Sequence, residues 1–251
     1  MSKKDTTTNT SSVEVLLQDG PCYLIRNCLT LSEQISIYND ILNRSKDIDN
    51  TNKICMNPTP KTLIFNGNQS TLKFSKGDDN VYNQLIIHHA NANLQEYAHQ
   101  NNNSQLLELI TSYTSPSYES SSTETHKQPS SMSVAVIRYK SPNDNFPLHI
   151  DHTNDNSYVY LLNLGCSANF IVKGPNEKKK EFIFKSGDVL VFDPSSNAGI
   201  LHGVDSINVN DFPTMNDDMD ADHENCCIPE DFRRYRFGVQ CRVKMDDHGF
   251  T

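Results

Sequence analysis

The chain of 251 residues has no tryptophan, only 10 glycines and a hydrophobic fraction of just 36%. That fraction is low for a globular protein, because Asn- and Ser-rich tracts dilute it, so a folded core carrying solvated insertions is expected. Positive charge is also scarce. Against 31 Asp and Glu there are 22 Lys and Arg, a formal net charge of −9. This balance argues against holding nucleic acid by phosphate neutralisation alone, although a local basic groove stays compatible with it. The seven cysteines are odd in number and irregularly spaced, which excludes a simple disulfide framework and fits a reducing compartment. No apolar run reaches the roughly 18 residues that a membrane span requires. The opening "MSKKDTTTNTSS" has no apolar segment of the secretory kind. A cytoplasmic or nuclear protein without a membrane partner is therefore expected.

What is present falls into two halves of different character. Residues 1–12 read as a disordered tail, and 13–131 as a helical, lid-like region. After the short strand-like run "PCYLIRNCL", Thr30 and Glu33 form a capping box. Leu31, Ile35, Tyr38 and Leu42 then recur at helical spacing. Two β-like pieces, "KTLIF" and "STLKF", precede two further helices, "VYNQLIIHHANANLQEYAHQ" and "SQLLELITS". Residues 113–131, rich in Ser and Thr with Pro, read as a mobile loop. From 132 to 251, β-branched and aromatic runs alternate with turn residues at short spacing, the pattern of an antiparallel sandwich or barrel. An acidic insertion at 206–231 interrupts it. The fold class expected is α+β in one domain, with the helices first.

Chemistry concentrates in "PLHIDHTN". Residues i and i+2 of a strand share a face, so His149 and Asp151 would present an imidazole and a carboxylate together from the start of a strand. One more histidine completes a facial triad suited to non-haem Fe(II), and the candidate is His202 in "SGDVLVFDPSSNAGILHGV". Taken singly, each of these is more often a structural or surface residue than a ligand. In "RRYRFGVQCRV", alternation puts Arg234, Arg236, Gly238, Gln240 and Arg242 on one face. Arginines turned into a sandwich need an anion, which a dicarboxylate would supply. The competing reading is a solvent-facing edge strand protected by its charges. Adjacent candidates are weaker. His152 falls on the face opposite Asp151. His223 with Cys226 and Cys227 lacks a workable zinc spacing, and only one of His88 and His89 can face a core.

The ordered set of His149-x-Asp151, "LLNLGCSANFIV", "SGDVLVFDP", "LHGV" with His202, and a closing Arg-x5-Arg strand resembles the AlkB-like Fe(II)/2-oxoglutarate dioxygenases. The resemblance covers 132–243 well and 20–98 faintly. It implies a double-stranded β-helix (jelly-roll) core with flanking N-terminal helices. It also implies Fe(II) on His149, Asp151 and His202, and 2-oxoglutarate as cosubstrate. Tyr139 and Arg236 would reach the cosubstrate, Arg236 gripping its distal carboxylate, and Arg242 would help shape the pocket. A second register would use Arg234 and put Gln240 in the place of the second arginine. The reaction implied is oxidative hydroxylation or demethylation of an N-methylated nucleobase in DNA or RNA. An AlkB-like oxygenase of a protein side chain or small molecule is the alternative, and a non-catalytic jelly-roll binding module is another.

Departures from the family pattern bear on substrate. Thr153 stands where base-repairing members carry an acidic residue, and Ile137 where an Asn is expected. The segment "PTPKTLIFNGNQSTLKFSKG" resembles the family's nucleotide lid only in part. Lys61 stands for an arginine, Gly67 matches a glycine, and Phe74-Ser75 keeps one aromatic.

Overall fold

The computed structural model describes residues 11–18, 20–51, 71–73, 82–111, 129–151, 153, 156–213 and 228–245. Most of the expected tail, "KTLIF", Lys61, Gly67, Phe74, Ser75, residues 112–128, His152, His223, Cys226 and Cys227 lie outside them.

Among the described residues, eleven strands form two sheets. They are β1 (Ser12–Val15), β2 (Cys22–Arg26), β3 (Thr71–Lys73), β4 (Pro129–Tyr139), β5 (Phe146–His149), β6 (Ser157–Gly165), β7 (Ser167–Lys173), β8 (Lys180–Phe184), β9 (Val189–Phe192), β10 (Leu201–Asn208) and β11 (Arg236–Met245). The larger sheet has the order β1-β2-β9-β6-β11-β4-β3, and the smaller β5-β10-β7-β8. Every strand pairing is antiparallel. This is the jelly-roll architecture expected from the sequence, with helices α1 (Leu31–Thr51), α2 (His88–Gln100), α3 (Ser104–Thr111) and α4 (Glu230–Arg234). No helix among the described residues is long and apolar enough to cross a membrane.

The two-residue period of a strand explains how the large sheet serves two cores at once. On β6, Tyr160, Leu162 and Leu164 belong to a cluster shared with the helices, whereas Val159 and Leu161 turn towards the smaller sheet. β9 divides likewise, with Val189 and Val191 on the helix side and Leu190 and Phe192 on the other. On β11, Phe237, Val239, Cys241 and Val243 all enter the helix-side core. That leaves Arg236, Gly238, Gln240 and Arg242 for the interior of the sandwich.

Local signals set the first helix. The Thr30 backbone N–H donates to Glu33 at 2.8 Å, and the Glu33 N–H donates to Thr30 Oγ1 at 3.3 Å, the reciprocal bonds of a capping box. Ile37, Tyr38 and Ile41 form its buried stripe, with Leu31, Ile35 and Leu42 half-buried beside it. The second expected helix is less regular, since a π-helical turn, Asn83–Ile87, precedes α2. Neither His88 nor His89 is buried, and the His89 ring instead approaches Glu33 at 3.1 Å.

Several boundaries differ from those read in the sequence. β1 starts at Ser12, within the expected tail. β4 starts at Pro129, within the expected Ser/Thr loop, because Pro129–Ser131 pair with the end of β11. The acidic insertion is narrower than 206–231: its first residues, through Asn208, complete β10, and α4 begins at Glu230. In each case a polar composition suggested a loop, and a neighbouring strand or the α4 turn claimed the backbone instead.

The turn between β6 and β7 ties the sandwich to the start of β11. Gly165 has φ +79°, the Cys166 N–H donates to Tyr235 O at 2.9 Å, and a Cβ on Gly165 would lie 2.3 Å from that same oxygen. Gly165→Ala is therefore expected to destabilise the protein by about 3 kcal/mol, from left-handed strain plus a backbone clash. Thermal unfolding checks this, with a fall of roughly 6–12 °C in midpoint expected for a chain of this size.

Candidate metal and cosubstrate site

The antiparallel pairing of β5 with β10 places His149 directly opposite His202. Their rings lie 4.3 Å apart, flanked by Phe146 on one side and Phe192 on the other, each 4.5 Å from the nearer imidazole. The aromatic row restricts how either ring can turn. Asp151 is not on a strand. β5 ends at His149, so the carboxylate reaches the site from the loop just beyond it, correcting the expectation of a shared strand start.

Asp151 Oδ1 lies 3.3 Å from His149 Nε2 and 3.7 Å from His202 Nε2. One ligand atom from each of the three residues falls within 4.8 Å of the others. The other carboxylate oxygen is engaged elsewhere. Arg242 Nη2 donates to Oδ2 at 2.5 Å, and Gln240 Nε2 donates to it at 3.2 Å. Asp151 thus offers one free oxygen to the histidines, while its second is fixed from the opposite sheet. At His149 the Nδ1 sits 2.9 Å from Pro147 O; a proton held there leaves the Nε2 lone pair facing Asp151.

The electrostatics favour a cation. Burial pushes the His202 pKa down to about 4, so its imidazole is neutral and ligand-ready at physiological pH. Burial pulls the His149 value down too, but the hydrogen bond and charge of Asp151 outweigh that and raise it. For Asp151, burial works against ionisation and loses to the His149 hydrogen bond and the charges of His202 and Arg242, so the carboxyl pKa falls. Two nitrogens and one oxygen, with further positions open, form the donor set of a non-haem Fe(II) site, and these residues fit such an ion.

Beside this triad lies a cavity lined by Tyr139, Leu161, Phe170, Val204, Arg236 and Gly238, among others. Arg236 is 1% exposed, the largest fully buried side chain. Its Cζ stands 4.7 Å over the Tyr139 ring, and its Nε donates to Asn163 Oδ1 at 2.5 Å. Its Nη2 has no hydrogen-bond partner. A buried guanidinium with an idle donor in a cavity wall fits a carboxylate ligand.

The structure also separates the two arginine registers. Arg234 is on α4, its side chain 61% exposed and paired with Glu230, so it does not join the interior face expected of it. The alternation that suggested otherwise begins only at Arg236, where β11 begins. Thr153 sits beyond Asp151, bridged to Ser195, and Ile137 lines the cavity. Asn163 was missed as a site residue. Its only signal was a polar residue inside the apolar run "YLLNLG".

A jelly roll that brings two histidines and a carboxylate together beside a buried arginine defines a metal-dependent oxygenase of the 2-oxoglutarate class. The model of the 2OG-Fe(II) oxygenase superfamily matches residues 21–239. The chain belongs to that superfamily and is a 2-oxoglutarate/Fe(II)-dependent dioxygenase. No curated protein matches the sequence. Among solved structures, OsALKBH1 is similar over 93% of this chain and 100% of its own, at 16% identity and a TM-score of 0.49. A Pseudomonas putida prolyl-4-hydroxylase is similar over 90% and 94%, at 8% identity and 0.48. A Trichoplax adhaerens prolyl hydroxylase, in complex with a hypoxia inducible factor peptide fragment, covers 90% and 84%, at 11% and 0.48. All three fall below a TM-score of 0.5, and the family assignment rests on the family model.

Because protons compete with the metal for His149, whose pKa Asp151 raises above the ordinary histidine value, Mn(II) or Fe(II) affinity is expected to fall as the pH drops, with the loss beginning above about 6.5. His202, with its depressed pKa, adds no loss until far lower pH. Calorimetric titration with Mn(II) across that range checks the sign. Arg242→Ala should weaken metal binding roughly 10–100-fold by releasing Asp151 Oδ2, and His202→Ala should weaken it more.

Proposed function

We propose that the protein is an AlkB-like dioxygenase in which His149, Asp151 and His202 hold Fe(II), and that it oxidatively demethylates an N-methylated nucleobase in DNA or RNA. The observation that carries this reading is the division of labour on β11. Arg236 lies under the cavity with a donor to spare, and Arg242, six residues on, grips Asp151. That is a use for both members of the Arg-x5-Arg pair on which the AlkB-like resemblance rests.

When bound, the Fe(II) supplies oxygen activation, with O2 and 2-oxoglutarate going to succinate and CO2 and one oxygen atom entering a C–H bond. The residues do the rest. Arg236 and Tyr139, which line the cavity, would receive the distal carboxylate of 2-oxoglutarate. Arg242 and Gln240 keep Asp151 turned so that one oxygen addresses the metal. Phe146 and Phe192 hold the imidazoles in place, and Leu161, Phe170 and Val204 exclude water from the cosubstrate. A hydroxylated N-methyl group then loses formaldehyde, returning the N–H.

A second reading, oxygenation of a protein side chain or small molecule, is favoured by the net charge of −9 and by Thr153, which offers no anionic acceptor to a base amine. Formaldehyde release from methylated DNA, RNA and peptide pools separates the two. Nucleic-acid turnover that weakens steeply with salt supports the first, and release from peptide alone overturns it. Conversion of 2-oxoglutarate to succinate, abolished by Asp151→Ala, eliminates a non-catalytic binding module. Arg236→Gln is expected to raise the KM for 2-oxoglutarate at least tenfold with a smaller change in kcat.

A further inference from the structure

Asn163 lies mid-sheet on β6, fully buried, and its nearest neighbours on the same face, Leu161 and Val159, are apolar. Across the β6–β11 ladder it stands opposite Gly238. Gly238 has no side chain, and Arg236 uses that space. A Cβ at Gly238 would meet Arg236 Nη1 at 3.1 Å and Nη2 at 3.5 Å. The guanidinium therefore lies flat across the glycine and reaches Asn163, to which its Nε donates at 2.5 Å. Asn163 is itself fixed. Its Nδ2 donates to Cys166 O at 3.1 Å, its backbone N–H donates to Asp188 O, and its carbonyl accepts from the Gly187 N–H. The amide orientation follows from these partners, since only the oxygen can face a guanidinium donor.

A buried arginine is ordinarily met by a carboxylate, because an unpaired buried charge costs several kcal/mol. Here the sheet meets it with neutral groups only, the Asn163 amide at Nε and the Tyr139 side chain. The amide satisfies the donor on the stem side of the guanidinium without cancelling its charge. Arg236 lines the cavity, and its Nη2 has no hydrogen-bond partner.

We infer that Asn163 is a positioning residue for cosubstrate selection: by holding Arg236 through Nε with an uncharged acceptor over Gly238, it keeps the positive charge and the unpartnered Nη2 donor of Arg236 available to the distal carboxylate of a 2-oxo diacid. The inference rests on the reading of Arg236 as the cosubstrate arginine. It goes beyond that reading in assigning the selectivity to a residue that touches neither metal nor cosubstrate. Asparagine and aspartate have nearly the same shape, so the choice between them is a choice of charge.

The test is calorimetric binding to the full-length, Mn(II)-loaded protein without turnover, using 2-oxoglutarate and pyruvate. Pyruvate keeps the 2-oxo acid and lacks the distal carboxylate. Asn163→Asp is expected to weaken 2-oxoglutarate about tenfold or more, and Asn163→Ala comparably, with pyruvate binding unchanged within about twofold. Gly238→Ala, which crowds the same guanidinium, should show the same ligand-selective loss. If Asn163→Asp does not fold, Asn163→Ala and Asn163→Ser carry the same comparison. Asn163 variants that bind 2-oxoglutarate like the parent, or that weaken both ligands equally, overturn the proposal. Arg236→Gln is the control. If it leaves 2-oxoglutarate binding intact, the reading of Arg236 fails; if it abolishes the preference while the Asn163 variants keep it, only the present inference fails.

Discussion

A guanidinium buried to 1% exposure, with a terminal donor lacking a hydrogen-bond partner, is the constraint around which the interior is arranged. Removing such a charge from water is costly unless hydrogen bonds and an anion replace the lost hydration. The fold supplies a hydrogen bond through Asn163 and the aromatic face through Tyr139, and the proposed function leaves the anion to the cosubstrate. Glycine at 238 follows from the same demand, because the arginine needs a flat path along the strand.

β11 joins the two halves of the site. One face is wholly apolar and seals the large sheet against the helices. The other carries Arg236, Gly238, Gln240 and Arg242 into the sandwich at successive two-residue steps. In the proposed function Arg236 serves the cosubstrate end, while Gln240 and Arg242 hydrogen-bond Asp151 across the gap between the sheets. A shift of one residue in register would bury the arginines against α1 and turn Phe237 and Val239 into the cavity. The long ladders with β4 and β6 on either side hold the register against that shift. On the proposed reading, one strand thus contributes to both the metal end and the cosubstrate end of the site.

Much of this was legible in the chain itself. The alternation in "RFGVQCRV" and the buried-strand run "DVLVF" indicated a β-sandwich, and the capping box at Thr30 fixed where α1 starts. His149, Asp151 and His202 stand out by residue type, and they do converge in space. Composition misled at boundaries: Pro129–Ser131 and Ser206–Asn208 look like loop, yet pair as strand because a partner edge was waiting. Arg234 misled by continuing an alternation that a short helix interrupts.

The sequence by itself determined the alternation of faces along β11 from Arg236 onward, because within a strand that depends only on a period of two along the backbone. Only the tertiary structure decided which faces meet. His202 comes opposite His149, 53 positions earlier, through the β5–β10 register, and Arg242 finds Asp151 from the other sheet. Asn163 becomes the partner of Arg236 because a glycine across the ladder leaves the way open. Such contacts between distant positions arise from strand pairing and sheet packing, and no local pattern encodes them.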